Sequence, residues 1–221
     1  MVQERSERTR GRLVEAGATL FDRCGYAGAT LGEIAGAAGV TKGALYFHFA
    51  SKEELARAVF EQAETSLRTA CAAPRSVDSP LQALIDAGYW LVDALGSDAV
   101  IRAAFRLGRD GAEWPEEPRP AAPAGTFAGM RGFHGVWAGV VRDLLSGARR
   151  AGELRDRSGG LGPETLVVTA ACGLEVVFAD GCPSEERARR VGALWDWLLP
   201  CLVPPGSSVG YRTRPAAPRP A

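Results

Sequence analysis

The sequence predicts an all-α protein that consists of a small N-terminal three-helix domain and a larger C-terminal helical domain. Two capping boxes, Thr30 with Glu33 and Ser51 with Glu54, mark helix starts near the N-terminus. Apolar residues recur at spacings of three and four along most of the chain, as they do on one face of a helix. A length of 221 residues, of which 46% are hydrophobic, is enough to fill both domains.

The first 60 residues predict three short helices around one core. A first helix over about 6–24 carries its apolar residues on one face. The capping box at Thr30 starts a second helix, and Gly39 stands where a helix ends in the left-handed conformation. Thr41 then caps a helix over about 42–47. Two helices joined by a tight glycine turn are typical of a helix-turn-helix motif.

The segment after this turn, VTKGALYFHFASKEEL over residues 40–55, concentrates side chains that contact DNA. It holds the two lysines among the 26 basic residues, Lys42 and Lys52. Lysines, hydroxyl groups and helix N-terminal amides bind phosphates, whereas base edges specify the sequence. We expect Lys42, Gly43 and Tyr46 nearest the groove, and Thr30, His48 and Lys52 on phosphates. The full set of candidate DNA contacts is Thr30, Thr41, Lys42, Gly43, Tyr46, His48 and Lys52.

The apolar residues of this segment have a simpler interpretation. Leu45, Phe47 and Phe49 are expected in the core of the three-helix domain. For His48, an ordinary surface histidine is the alternative to a phosphate contact. The formal net charge of the chain is zero, so DNA binding would depend on a few placed contacts and would weaken with salt through counterion release.

Composition argues against several other classes of protein. The five cysteines are scattered without metal-ligand or disulfide spacing, which predicts free thiols in a reducing cytosol and neither a metal nor a cofactor. The polar, arginine-rich N-terminus and the lack of a long apolar run predict a cytoplasmic protein without a membrane partner. With two histidines, no nucleophile elbow and no phosphate-binding glycine loop, the chain is not expected to be an enzyme.

The segment from Thr9 to Leu55 resembles the N-terminal domain of the TetR family of bacterial transcriptional repressors. Its VTKGALYFHFASKE motif is typical of the gamma-butyrolactone autoregulator receptors of actinomycetes. The resemblance implies an all-helical homodimer whose C-terminal domains bind a small ligand, shift the two reading heads and release DNA. On this basis we expect a DNA-binding domain at 1–55, a connecting helix at 56–74, a ligand-binding and dimerisation domain at 78–203, and a disordered tail at 204–221.

Helical patterns continue through the C-terminal domain, and two of them predict association. A Pro-, Gly- and Glu-rich segment at 108–129 predicts a long loop, for which a lid and a surface insertion are both open interpretations. Helices over 163–179 and 183–202 are too apolar for one chain to bury. Paired with a second copy they would form a four-helix interface, and the dimer would read an operator with two-fold symmetry.

The ligand site is implied by the resemblance. In the receptors, a tryptophan on the helix that follows their sixth helix packs against the lactone. Trp137 occupies the matching position in this sequence. Plain core packing is the alternative for this residue. An apolar pocket also needs walls and a few polar anchors. The candidate ligand contacts are Phe105, Trp137, Val141, Thr169, Cys172 and Glu175.

The function expected from these residues is that of a ligand-responsive repressor. It would bind a palindromic operator in double-stranded DNA as a dimer, respond to a gamma-butyrolactone-like effector and control secondary metabolism. Two alternatives remain open from the sequence. One is a pseudo-receptor that responds to antibiotics or biosynthetic intermediates, and the other is a DNA-binding protein without a ligand.

Overall fold

The computed structural model describes residues 2–72, 79–110, 132–155, 162–178 and 182–214. Over these ranges the chain is helical and contains no β-strand, so the predicted all-α class is confirmed. None of the helices in the described ranges is long and apolar enough to cross a membrane. The helices are α1 Val2–Gly28, α2 Leu31–Ala37, α3 Lys42–His48, α4 Lys52–Ala72, α5 Pro80–Ser97, α6 Ala99–Arg109, α7 Gly132–Arg150, α8 Gly162–Phe178 and α9 Ser184–Leu202, followed by a 3-10 helix at Ser207–Gly210.

The described residues form two compact units. The first contains 2–66, 98–110 and 132–135, and the second contains 67–72, 79–97, 136–155, 162–178 and 182–214. Helix α6 therefore belongs with the N-terminal helices, although the predicted C-terminal domain at 78–203 included it. Its arginines bind the end of α1, and its Phe105 packs against Phe133 of the same unit; these contacts between distant residues are not visible in the sequence pattern.

The first unit is built around α1, which packs against α2 and α6. Phe21, Ile34, Leu45 and Leu55 are fully buried in its core. The predicted first helix is extended at both ends, to Val2–Gly28, but it is interrupted at Gly25, whose backbone has φ of 73°. This left-handed conformation favours glycine because a Cβ would clash with the backbone.

The second unit packs α5 against α9 and α8. Leu81, Leu84 and Ile85 of α5 are fully buried. The carboxylate of Glu153 accepts a hydrogen bond from the backbone N–H of Leu81 at 2.9 Å, which satisfies an amide in the first turn of α5. On the other side of the unit, Arg142 of α7 forms an ion pair with the buried Glu164 of α8 at 3.2 Å.

The C-terminal segment differs from the prediction of a disordered tail beginning at Pro204. Residues 204–214 are described, and they include the 3-10 helix and a stretch bound to α5. The hydroxyl of Tyr89 donates to the carbonyl of Thr213, and the side chain of Gln82 binds the backbone of Arg212. Proline content predicted disorder, whereas these side-chain bonds to a backbone hold the segment. The predicted loop at 108–129 lies outside the described residues from position 111 onward.

Candidate DNA-binding and ligand-binding sites

The helix-turn-helix is assembled by local hydrogen bonds that the sequence predicted. The Thr30 hydroxyl accepts from the N–H of Glu33 at 3.2 Å, and the Glu33 carboxylate accepts from the N–H of Thr30 at 3.2 Å, which completes the capping box. Gly39 has φ of 65°, as the end of α2 requires. The Thr41 hydroxyl then accepts from the N–H of Ala44 at 3.2 Å and caps α3. Both helix starts are thus confirmed.

Helix α3 presents a polar and aromatic face to solvent. Lys42, Gly43 and Tyr46 are exposed, and Tyr46 has 55% of its surface accessible. Thr30 and Thr41 are also exposed, while His48 is half-buried. The Thr30 hydroxyl already donates to the Glu33 carboxylate at 2.7 Å, so the exposed donors are the Thr41 hydroxyl, the Lys42 ammonium and the Tyr46 phenol, a mixture that is suited to phosphate and base-edge contacts.

Phe47 lies at the surface, so the prediction that it belongs to the core is wrong. Leu45 and Phe49 are buried as expected, but 80% of the surface of Phe47 is exposed. Its ring packs edge-on against His48 with centroids 5.2 Å apart. In a helix of seven residues, Leu45 takes the inward position, and a residue two places further along points about 200° away. Phe47 is thus a candidate DNA contact that its apolar side chain concealed.

Two arginines of α1 contact the helix-turn-helix motif. Arg12 donates to the carbonyl of Ala38 at the end of α2. The guanidinium of Arg10 lies over the ring of Phe49, 5.0 Å from its centroid. Because the last carbonyls of a helix lack partners within that helix, the bond from Arg12 stabilises the turn that leads into α3.

Lys52 has partners other than the phosphate that the sequence analysis assigned to it. Its ammonium donates to the carbonyls of Tyr26 at 2.8 Å and Ala29 at 3.1 Å. It also lies 4.4 Å from the centroid of the Tyr26 ring. Burial, and secondarily the charge of Glu53, raises the pKa of Tyr26, so its phenol stays neutral at physiological pH. These contacts direct the Lys52 charge toward the end of α1.

Helix α6 contacts the same end of α1. Arg102 forms an ion pair with Asp22 at 2.7 Å, and Arg106 donates to the carbonyl of Asp22 at 2.7 Å. The carboxylate of Asp110 accepts from the N–H of Tyr26 at 3.0 Å. No sequence motif indicated these bonds, since they join residues 80 or 84 positions apart.

Two of the candidate ligand contacts lie buried on α7 in the second unit. Trp137 is 2% exposed and Val141 is fully buried. The indole Nε1 of Trp137 is one of three buried side-chain nitrogen or oxygen atoms that have no hydrogen-bond partner within the described part of the chain. A buried indole N–H normally finds a partner, so this donor without a partner among the described residues is an exception that calls for an explanation.

The remaining candidate ligand contacts are dispersed. On α8, Glu175 is buried and Cys172 is half-buried, and burial raises the pKa of the Cys172 thiol, with a further rise from the charge of Glu175. Thr169 lies on the exposed face of α8, which does not fit a buried pocket. Phe105 belongs to the first unit, where it packs against Phe133 and His134 with centroids 4.9 and 4.8 Å away.

The face of α8 that contains Thr169 is largely apolar. Leu166, Val176 and Val177 are 46%, 69% and 54% exposed, and Trp197 of α9 is 82% exposed. Large apolar side chains clustered on a surface mark an interaction site more often than an ordinary solvent face.

A capped helix-turn-helix with a polar, solvent-facing α3, followed along the chain by a second helical unit, defines a class of DNA-binding regulators. The family model of bacterial regulatory proteins of the tetR family matches residues 13–59, which contain the helix-turn-helix. The A-factor receptor protein of Streptomyces griseus is 30% identical over 204 residues, which cover 92% of this chain and 67% of that protein. The chain belongs to the TetR family of bacterial regulatory proteins.

Solved structures agree with this assignment. A crystal structure of a gamma-butyrolactone receptor described as ArpA-like is 30% identical, with 94% of each chain covered and a TM-score of 0.72. The TetR family protein CprB from Streptomyces coelicolor, solved in complex with its biological operator sequence, is also 30% identical. The match covers 93% of this chain and 94% of CprB, with a TM-score of 0.70. The chain is therefore a TetR-family regulator that resembles gamma-butyrolactone receptors.

Proposed function

We propose that this protein is a dimeric transcriptional repressor, not an enzyme, that binds a palindromic operator and is released from it by a small molecule of the gamma-butyrolactone class. It would act in the cytoplasm on genes of secondary metabolism. The observation that carries the ligand part of the proposal is the buried indole N–H of Trp137, which lacks a partner among the described residues. The names of the relatives, an A-factor receptor and gamma-butyrolactone receptors, support the ligand class.

The DNA-binding part rests on the exposed face of α3. Lys42 and Tyr46 are exposed beside Gly43, where a backbone without a Cβ permits close approach to DNA. Thr41 adds a hydroxyl at the N-terminus of α3, where backbone amides also favour phosphates, whereas the Thr30 hydroxyl is used in the capping box of α2. The likeness to an operator-bound TetR-family structure supports the same use of this face.

The dimer is supported by the exposed apolar residues of α8 and α9. Two copies of this face would bury Leu166, Val176, Val177 and Trp197 around a two-fold axis. Such a dimer presents its two reading heads to half-sites related by the same axis, so the operator would be a palindrome.

In the proposed ligand site, the ring face and the N–H of Trp137 would have separate roles. The ring provides a broad apolar wall, and Nε1–H donates to an ester carbonyl of the ligand. Val141 lies one helical turn further along α7 and is also buried, so it would extend the wall. Cys172 and Glu175 of α8 are the polar partners that remain after Thr169 is found exposed.

The test is fluorescence anisotropy of the wild-type protein on labelled DNA from upstream of its own gene, titrated with a panel of gamma-butyrolactones. We expect tight, salt-sensitive DNA binding and release by at least one lactone. Trp137→Phe replaces the indole with a smaller aromatic ring that lacks the donor, and we expect it to bind DNA normally while its lactone affinity falls at least about tenfold, since one hydrogen bond and part of the apolar wall are lost.

The outcomes separate the alternatives. Tight DNA binding that antibiotics or biosynthetic intermediates relieve, but lactones do not, would favour a pseudo-receptor. DNA binding that no compound relieves would favour a ligand-independent regulator. Failure of the wild-type protein to bind any DNA from its own locus would contradict the repressor proposal.

A further inference from the structure

The connection between α1 and α2 is bound from both sides by side chains of other helices. It runs from the interruption at Gly25 to Thr30, which caps α2. The ammonium of Lys52, in the first turn of α4, donates to the carbonyls of Tyr26 and Ala29 at 2.8 and 3.1 Å. These two bonds account for two of its three donors, and the Tyr26 ring lies 4.4 Å from the same nitrogen.

The opposite side of Tyr26 is held by α6. Asp110 accepts from the N–H of Tyr26 at 3.0 Å, and Arg106 donates to the carbonyls of Asp22 and Arg23 at 2.7 and 3.2 Å. A Cβ at Gly25 would lie 2.6 Å from the Asp110 carboxylate, so a larger residue could not be placed there without moving Asp110. The peptide groups around Tyr26 thus bond with α4 through Lys52 and with α6 through Asp110.

This arrangement has a consequence for DNA binding. Ala29, which accepts from Lys52, directly precedes Thr30, the N-cap of α2, which is the first helix of the helix-turn-helix. A shift of the connection would therefore displace the start of the helix-turn-helix. A lysine whose ammonium already serves two carbonyls and an aromatic ring is also a poor candidate for a direct phosphate contact.

We propose that Lys52 and Asp110 are positioning residues for DNA binding, which grip Tyr26 from α4 and from α6 and so set the position at which α2 begins. This inference rests on the proposed DNA-binding function and identifies a contact between the end of α6 and the connection that precedes α2. It replaces the phosphate contact that the sequence analysis assigned to Lys52.

A salt titration distinguishes the two roles of Lys52. Loss of one phosphate contact lowers the slope of log affinity against log salt by about one, whereas loss of a positioning residue lowers affinity and leaves the slope unchanged. We expect Lys52→Met to weaken operator binding with the wild-type slope and Lys42→Met to reduce the slope. Lys52→Gln, which retains a neutral donor for the two carbonyls, should recover part of the affinity. A reduced slope in both Lys52 variants would overturn the proposal.

A double-mutant cycle tests the link between Lys52 and Asp110. Because both residues act through Tyr26, the affinity lost in Lys52→Met with Asp110→Ala should be at least about twofold smaller than the product of the two single losses. Losses that multiply would show that the residues act independently and would overturn the proposal.

Amide hydrogen exchange of the free protein provides a measurement that does not require DNA. Both Lys52→Met and Asp110→Ala should accelerate exchange over residues 24–31, whereas Arg57→Ala, which removes an exposed charge from the same helix as Lys52, should not. If the wild-type protein binds no DNA, the repressor function fails, and the exchange still decides whether the two residues hold the connection. Unchanged exchange in both variants would overturn the proposal.

Discussion

The side chain of Gln82 binds the backbone of Arg212 through both ends of its amide. Its Oε1 accepts from the Arg212 N–H at 2.9 Å, and its Nε2 donates to the Arg212 carbonyl at 3.2 Å. The side-chain amide of this buried α5 residue thereby pairs with both backbone groups of Arg212, in the way that the backbone of an adjacent β-strand would. The guanidinium of Arg212 adds an ion pair with Asp86 at 3.5 Å.

Removal of this segment should destabilise the protein. A chain that ends at Val203 leaves the amide of Gln82 and the hydroxyl of Tyr89 without these partners, and we expect a loss of about 1–3 kcal/mol in the free energy of unfolding. Urea denaturation measures the loss. A chain that ends at Arg214 keeps both bonds and serves as the control, so equal stability of the two truncated chains would contradict the prediction.

The environment of Tyr89 predicts a loss of stability at alkaline pH. Burial, followed by the charge of Asp196, raises the pKa of Tyr89 from 10.0 to about 12. A group with a raised pKa in the folded state contributes stability that is complete below pH 10 and declines as pH rises toward 12. Urea denaturation between pH 9 and 12 should therefore show a steeper decline for wild type than for Tyr89→Phe, and parallel curves would contradict this assignment.

The capping box predicts an effect at acidic pH. The hydroxyl and backbone N–H of Thr30 lower the pKa of Glu33 from 4.5. A lowered pKa contributes stability above pH 4.5 that is lost as pH falls through the value in the folded state. Thr30→Ala should cost about 1 kcal/mol at neutral pH, whereas Thr30→Ser should retain the cap. Thermal unfolding should show the gap between Thr30→Ala and wild type narrowing below pH 4.5, and a constant gap would argue against the Glu33 contribution.

Phe47 should affect DNA binding without affecting stability. Because 80% of its surface is exposed, Phe47→Ala should change the free energy of unfolding by less than about 0.5 kcal/mol. An exposed ring in the major groove packs against thymine methyl groups, so we expect a loss of about 1–3 kcal/mol in operator binding. Phe49→Ala is the matched control, since that ring is buried and its removal should cost about 3–5 kcal/mol of stability.

Uracil substitution sharpens this test. An operator in which uracil replaces the contacted thymine lacks only the methyl group. It should bind wild type more weakly, but it should bind Phe47→Ala as well as the thymine operator does. An equal penalty for both proteins would show that Phe47 does not contact the methyl group.

A charge on the exposed face of α8 should dissociate the proposed dimer. Val176 is 69% exposed, and in a two-fold interface Val176→Asp would place a carboxylate on each side of it. Light scattering should report a mass that shifts from twice 23.3 kDa toward 23.3 kDa. Val209→Asp is the control, because that valine is 92% exposed but lies outside α8 and α9. Dissociation by both variants, or by neither, would contradict the proposed interface.

The sequence predicted those features that depend on neighbouring residues. Thr30 and Thr41 cap α2 and α3 as their spacing indicated, and Gly39 takes the left-handed turn, because each of these bonds joins residues within three or four positions. The helical class and the family resemblance likewise followed from local patterns, and both are confirmed.

Features that depend on contacts between distant residues could not be predicted from the sequence. Phe47 was assigned to the core by residue type, although a seven-residue helix buries few side chains. The carbonyl partners of Lys52 come from a connection about 25 positions earlier, and Asp110 reaches the same connection from α6. The hold of Gln82 on Arg212 spans 130 positions, so proline content alone suggested disorder there.

The scarcity of lysine has a practical consequence for studying this protein. Lys52 is half-buried and its amine is engaged with backbone carbonyls, whereas Lys42 is exposed at the start of α3. Reagents that modify amines would therefore act, apart from the chain terminus, on the face proposed to read DNA. Immobilisation or dye labelling through amines would therefore report or block operator binding. Labelling through the exposed Cys201 would affect a different surface, because this cysteine lies on α9, a helix of the proposed dimer interface.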